Sequence, residues 1–288
     1  MVKCYQCPRG CGVDRSVKKG VCGCLDTVRI AKYMVHKWEE PCISGESGSG
    51  CIFFSGCSLG CVYCQNKEIS QGLKGEDISV LRLSQIMLEL QDKGVNNINL
   101  VTPTHFSSQI RQAIDLIRTR LKIPVIYNTS GYENASEILK MADYVDVFLT
   151  DIKYFSPDAS LKYSNAKNYY EVAKAALSAM LSVQPRVIFD SEGFIKKGVI
   201  VRHLVLPTLR RDSIKILEDL KDNFDISSFK LSLMSQYTPD FCPEEFKEIK
   251  RKITGFEYDS VLDRALELGY DGYFQERSSS SKKYTPEF

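Results

Sequence analysis

From Cys51 onward, short apolar runs rich in β-branched residues alternate with segments of helical period, which predicts repeated strand–helix units around a parallel sheet. The predicted strands are Cys51–Ser55, Ile98–Thr102, Val125–Asn128, Tyr144–Thr150, Val199–Leu206 and Lys230–Met234. Between the first two, Leu83, Ile86, Met87 and Leu90 fall at i, i+3, i+4 and i+7, giving a helix one apolar face that Gly94 terminates. Ile110, Ala113, Ile114 and Ile117 repeat this spacing, and Pro124 marks entry to the third strand. Further helices are predicted over Glu133–Met141, Tyr169–Leu181, Asp212–Lys221 and Tyr258–Leu268. Six such units fit an α/β fold of partial (βα)6, TIM-like barrel type, in which reactive side chains gather at the carboxyl ends of the strands.

Residues 1–50 read differently. They are rich in Cys, Gly and Lys, lack sustained periodicity, and end in the Gly/Ser stretch from Ser44 to Gly50. That composition predicts a small Cys-rich metal-binding module with a flexible connection, which Trp38-Glu39-Glu40-Pro41 packs onto the barrel. The barrel then occupies 51–276, and the serine-rich segment 277–288 reads as a disordered tail.

At 288 residues and 43% hydrophobic, the chain is long enough for one core of barrel size. Its formal net charge of +2 gives no electrostatic reason to expect nucleic acid as a partner. The longest apolar runs fall well short of the ~20 residues that a membrane helix needs, so a cytoplasmic protein with no membrane partner is expected. In that compartment 11 cysteines read as metal ligands or reduced thiols rather than as disulfides. All but Cys242 lie at or before Cys64; Cys242, Cys42 and Cys51 read as ordinary reduced thiols.

Cys57, Cys61 and Cys64 form a C-x3-C-x2-C triad immediately after the first predicted strand. Three thiolates hold a 4Fe-4S cluster with one iron left open, and that iron can bind the amino and carboxylate groups of S-adenosylmethionine. A zinc site is the competing reading, but it usually takes four ligands, and only His36, His105 and His203 could supplement the cysteines. Cys4, Cys7, Cys11 and Cys22 form a second set, C-x2-C-x3-C-x10-C, with Cys24 as a substitute for Cys22. Zinc, an auxiliary iron–sulfur cluster and free thiols all remain open for this set.

The stretch CSLGCVYCQN at 57–66 resembles the radical S-adenosylmethionine superfamily, and particularly the glycyl radical enzyme activases. The chain is similar to an uncharacterised pyruvate formate-lyase activating enzyme-like branch in CPRGCGVDR, WEEPCISG, NINLVTPTHF, YNTSGYE, DIKYF, YSNA, VRHLVLP and SLMSQYTP. This resemblance implies that Tyr63 lies against adenine, and that Asn128, Ser130, Asp151, Lys153 and His203 line the cofactor or substrate cavity. It implies a monovalent cation near Asn128, Thr129 and Asp151, although Asn128 stands where an acidic residue is common. It also implies a flavodoxin- or ferredoxin-type electron donor and a protein or peptide substrate.

One departure concerns cofactor binding. Most superfamily members end the second strand in a Gly-Gly-Glu-type motif that binds the cofactor amino group, whereas Thr102-Pro103-Thr104 stands here. Thr102 and Thr104 are therefore expected to accept those hydrogen bonds, more weakly than a carboxylate would. Strand alternation puts His203 opposite Arg202, and Asp151 and Lys153 on one face as an ion pair; His105 reads as a helix support. Three functions compete: radical activation of a protein or peptide, radical modification of a small metabolite, and non-catalytic iron–sulfur electron transfer.

Overall fold

The computed structural model describes residues 3–71 and 74–275. The elements in chain order are β1 (Val28–His36), α1 (Pro41–Ser44), β2 (Ser49–Phe54), α2 (Lys67–Ser70), β3 (Glu76–Ile78), α3 (Val80–Asp92), β4 (Ile98–Val101), α4 (Ser107–Ile117), β5 (Val125–Thr129) and α5 (Ala135–Lys140). There follow β6 (Val147–Asp151), α6 (Pro157–Ser164), α7 (Tyr169–Val183), β7 (Ile188–Phe189), β8 (Ile195–Leu204), α8 (Arg210–Asn223), β9 (Phe229–Met234), α9 (Gly255–Glu267) and β10 (Gly272–Phe274). The sheet order is β10-β9-β8-β6-β5-β4-β2-β1-β3, with β7 hairpinned onto β8.

All six predicted strands are present as β2, β4, β5, β6, β8 and β9, paired in parallel, and β10 extends the parallel set. The mixed α/β fold with a mostly parallel sheet is that of a partial barrel. Tyr144 and Val145 were expected in β6 but instead close the turn after α5, with the Val145 N–H bonded to the Met141 carbonyl. Ser79 caps α3, and Thr254 and Glu257 cap α9 reciprocally. Among the described residues no helix is long and apolar enough to cross a membrane. The expected tail at 277–288 lies outside the described residues.

The predicted boundary at residue 50 does not match the structure. β1 lies antiparallel to both β2 and β3, so Val28–His36 belongs to the main sheet. The segment joining β1 to β2 turns into the barrel: Cys42 and Ile43 are buried and pack with Ile126, Val147, Leu149 and Ile200 from the inner face. The glycines there are not a flexible connection. A β carbon on Gly45 would lie 2.2 Å from the Phe194 ring, and one on Gly48 would lie 2.5 Å from Val35. Both residues have positive φ, so glycine is required by crowding and backbone together.

Alternation along each strand separates lumen from helix layer. Leu149, Ile126 and Ile200 face the lumen cluster, while Phe148, Tyr127, Val199 and Val201 join the larger core beneath the helices. Ile43 therefore forms part of the barrel floor. We expect Ile43→Ala to destabilise the whole barrel by about 2–5 kcal/mol, read as a lower urea midpoint in a single transition. A separable module at 1–50 would leave the main transition unchanged.

Candidate functional site

The loop after β2 begins at Gly56, where φ is +85° and a β carbon would stand 2.5 Å from the Cys22 carbonyl oxygen and 2.6 Å from Cys24 Sγ. From there Cys57, Cys61 and Cys64 line a cavity of about 330 Å³. Tyr63 of the same loop lines this cavity with Thr102, Asn128, Thr129, Ser130, Asp151 and Lys153, which stand at or just beyond the carboxyl ends of β4, β5 and β6. The structure thus brings together most of the residues expected from the sequence.

Each thiol sits in a distinct setting. A hydrogen-bond chain runs from Tyr63 Oη to Tyr154 Oη (2.6 Å) and on to Ser164 Oγ (2.8 Å), which donates to Cys61 Sγ (2.9 Å). Burial pushes the Cys61 thiol up to about 12, and the neighbouring Cys57 and Cys64 sulfurs oppose a second negative charge, while Lys153 works the other way. Burial likewise raises Cys64. Burial thus favours the protonated form of Cys61 and Cys64, and a bound metal centre would supply the positive charge that turns them into thiolates. Among the described residues no three Cys, His, Asp or Glu side chains stand close enough to cage a single ion. Three cavity-lining cysteines are nonetheless the donor set that a 4Fe-4S cluster with one open iron takes.

Lys153 Nζ lies 2.5 Å from Asp151 Oδ2. Burial disfavours the ammonium, but the Asp151 carboxylate outweighs it and holds Lys153 charged. Tyr169 Oη donates to the Ser130 carbonyl (2.7 Å) and accepts from the Lys153 N–H (3.0 Å), tying the ends of β5 and β6 together. Thr102, at the end of β4, has φ +60°, a strained conformation for a β-branched residue.

Two expected cavity residues lie elsewhere. The Thr104 hydroxyl is buried and donates to Glu133 Oε1, which Thr129 also reaches, so Thr104 is not available to a cofactor. Burial pushes Glu133 up to about 7. His203 shares the outward face of β8 with Val199 and Val201, its Nδ1 2.6 Å from the Ile152 carbonyl, and burial lowers its pKa. Its adjacent Arg202 faces the lumen instead. His105 Nε2 bonds the Ser55 carbonyl at 2.7 Å, so it fastens the end of β2 rather than a helix.

The cavity floor is formed by residues for which the sequence indicated packing but no site role. Trp38, Glu39 and Glu40 line it together with Arg202. Arg202 Nε donates to Glu40 Oε1 (2.7 Å) and Nη2 to Glu40 Oε2 (2.5 Å) and Glu39 Oε2. Asn99 Nδ2 supports Glu39 Oε1 at 3.1 Å. Burial would raise Glu40, but the Arg202 guanidinium overrides it and keeps the carboxyl below its usual range. The available signal was the alternation that places Arg202 opposite His203 on an otherwise apolar strand.

Arg202→Met strands two buried carboxylates and is expected to cost about 3–5 kcal/mol near neutral pH in urea unfolding. Because Glu40 is depressed in the folded wild type, the pair contributes fully above a pH of about 4.5 and fades as pH falls through the folded value. The gap between variant and wild type should therefore narrow on acidification.

Uncharacterized protein MJ0674 of Methanocaldococcus jannaschii is 28% identical over 282 residues, covering 93% of this chain and 77% of that protein. The crystal structure of HydG, a maturase of the FeFe-hydrogenase, superposes with a TM-score of 0.54 at 11% identity over 75% of this chain. That match spans 49% of the HydG chain, and at this identity it shows the fold alone. Streptococcus suis SuiB bound to S-adenosylmethionine is similar at a TM-score of 0.47 and 14% identity, over 76% of this chain and 47% of its own. The profile of the Radical SAM superfamily matches residues 51–220, more than half of the sequence, and the chain belongs to that superfamily.

Proposed function

We propose that Cys57, Cys61 and Cys64 hold a 4Fe-4S cluster at the mouth of the barrel, and that the chain uses it with S-adenosylmethionine to start radical chemistry on a substrate in the cavity. The observation that carries this reading is the placement of the three thiols on one cavity wall with Thr102, Asn128, Ser130, Asp151 and Lys153. The family implies both the cluster and S-adenosylmethionine. Held there and reduced by a flavodoxin- or ferredoxin-type donor, such a cluster supplies one electron to the sulfonium, the chemistry that yields a 5'-deoxyadenosyl radical.

The chain's own residues bind and orient. The Tyr63–Tyr154–Ser164 chain fixes the side chain of Cys61. Thr102 and Asn128 present neutral oxygens to the cofactor ammonium, while the Lys153 ammonium, held charged by Asp151, suits a carboxylate. Helix α1 and Glu39, Glu40 and Arg202 close the floor, so substrate enters from the mouth and water is limited around the reacting atoms.

For the substrate, the blocks from CPRGCGVDR to SLMSQYTP favour a glycyl radical enzyme or another protein or peptide, reached as a segment inserted through the mouth. The charged floor favours a second reading, a small polar metabolite held by Arg202 and Glu39. After anaerobic reconstitution with iron and sulfide and addition of a reductant, wild type should form 5'-deoxyadenosine from S-adenosylmethionine, and Cys57→Ala should fall to the enzyme-free background. Full cleavage by the variant would sink the proposal. A stable organic radical on a protein partner, seen by spin resonance, identifies the first substrate class; metabolite consumed in step with the cofactor identifies the second.

A further inference from the structure

We propose that Cys4, Cys7, Cys11 and Cys22 form a second metal site, taking a zinc ion or an iron–sulfur cluster, and that its loading holds the loop of Cys57, Cys61 and Cys64 in place. All four thiols are free of disulfides. Within residues 3–27 the only strand-type pairing is the isolated bridge between Lys3 and Asp14. A segment with so little regular structure has no core of its own and needs a staple.

The backbone gathers the four residues. The Cys4 N–H donates to the Val13 carbonyl (2.8 Å), the Gly12 N–H to the Cys4 carbonyl (3.0 Å) and the Gly10 N–H to the Cys7 carbonyl (3.0 Å), with Gly10 and Gly12 at positive φ. This knuckle brings Cys4, Cys7 and Cys11 together. A β carbon on Gly20 would lie 3.4 Å from both Cys11 Sγ and Cys22 Sγ, so those sulfurs flank one point.

Among the described residues these thiols do not form a closed ion cage. Cys22 is turned toward Cys24, its Sγ 4.0 Å from the Cys24 carbonyl. Loading requires the four sulfurs to converge, which metal binding drives by displacing their protons and which cysteine rotamers allow at little cost. Cys24 is not needed as a ligand: its thiol donates to the Ser55 carbonyl at 3.1 Å.

The same segment grips the second cysteine loop. The Cys57 N–H donates to the Cys22 carbonyl at 3.2 Å. Arg9, between Cys7 and Cys11, donates from Nε to the Ser58 carbonyl (2.6 Å) and from Nη2 to the Ser164 (3.1 Å) and Leu59 (3.4 Å) carbonyls, and its Nη1 bonds the Asn165 carbonyl. A metal that fixes Cys7, Cys11 and Cys22 thereby fixes Arg9 and the Cys22 carbonyl. The hold on residues 57–59 tightens with it.

The test uses the full chain carrying Cys57→Ala, Cys61→Ala and Cys64→Ala together, so that any thiolate centre it binds belongs to the first four cysteines. It is loaded anaerobically either with zinc(II) alone or with ferrous iron and sulfide, and bound metal is quantified. Retention of about one zinc per chain identifies an ion, a requirement for iron with sulfide identifies a cluster, and either should vanish when Cys7→Ser and Cys11→Ser are added. Loading should also slow amide hydrogen exchange across residues 57–59 about tenfold in the triple variant, which needs no change in the first four cysteines. Arg9→Ala should keep the metal and lose the slowing at Ser58 and Leu59. Metal content indifferent to Cys7 and Cys11, or exchange indifferent to loading, overturns the proposal. No S-adenosylmethionine is present, so neither result bears on the proposed radical chemistry.

Discussion

The buried contact between Arg202 and the Glu39–Glu40 pair is the constraint on which the interior depends. It joins side chains 162 and 163 residues apart in sequence, one on β8 and the others on the segment that enters the barrel beside α1. A lone guanidinium or a lone carboxylate in that position would carry a large desolvation cost, so the charges fold in together or not at all. Once they do, α1 is fixed beneath them, Cys42 and Ile43 complete the apolar floor, and the space above is left as the cavity.

The opposite end of the cavity is organised by hydrogen bonds rather than by charge burial. The loop of Cys57, Cys61 and Cys64 buries Leu59 and Tyr63 in the core, and Arg9, the Cys22 carbonyl and the Tyr154–Ser164 pair fasten it from three directions. Between loop and floor stand the strand-end residues, with the Lys153–Asp151 ion pair among them. The site thus has a thiol-lined top, a polar rim and a charged base, each supplied by different parts of the chain.

The missing acidic motif takes on a specific form in this fold. Thr102 reaches the cavity in a strained left-handed conformation, whereas Thr104 turns back to Glu133 behind the strand ends. Burial keeps Glu133 near neutrality, with Thr104 and Thr129 as its hydrogen-bonding partners. Glu133 is therefore spent on joining the ends of β4 and β5, and at the end of β4 a neutral residue, Thr102, is left to face the cavity.

Local periodicity determined much of this protein. The alternation of apolar runs and helix-period segments identified the six central parallel strands, and cysteine spacing after the first of them picked out the loop that opens into the cavity. Both signals are short-range, a period of two or about 3.6 residues and a turn's worth of ligands, so a linear reading holds them. The tertiary structure alone decided that residues 28–50 belong to the barrel, that Glu39 and Glu40 pair with Arg202, and that His203 and Thr104 turn away from the cavity. Those outcomes depend on which distant groups share a buried volume. A glycine-rich stretch reads as flexible until the ring of Phe194 and the side chain of Val35 are packed against it, and a charged pair reads as surface until its counterion arrives from the far side of the barrel.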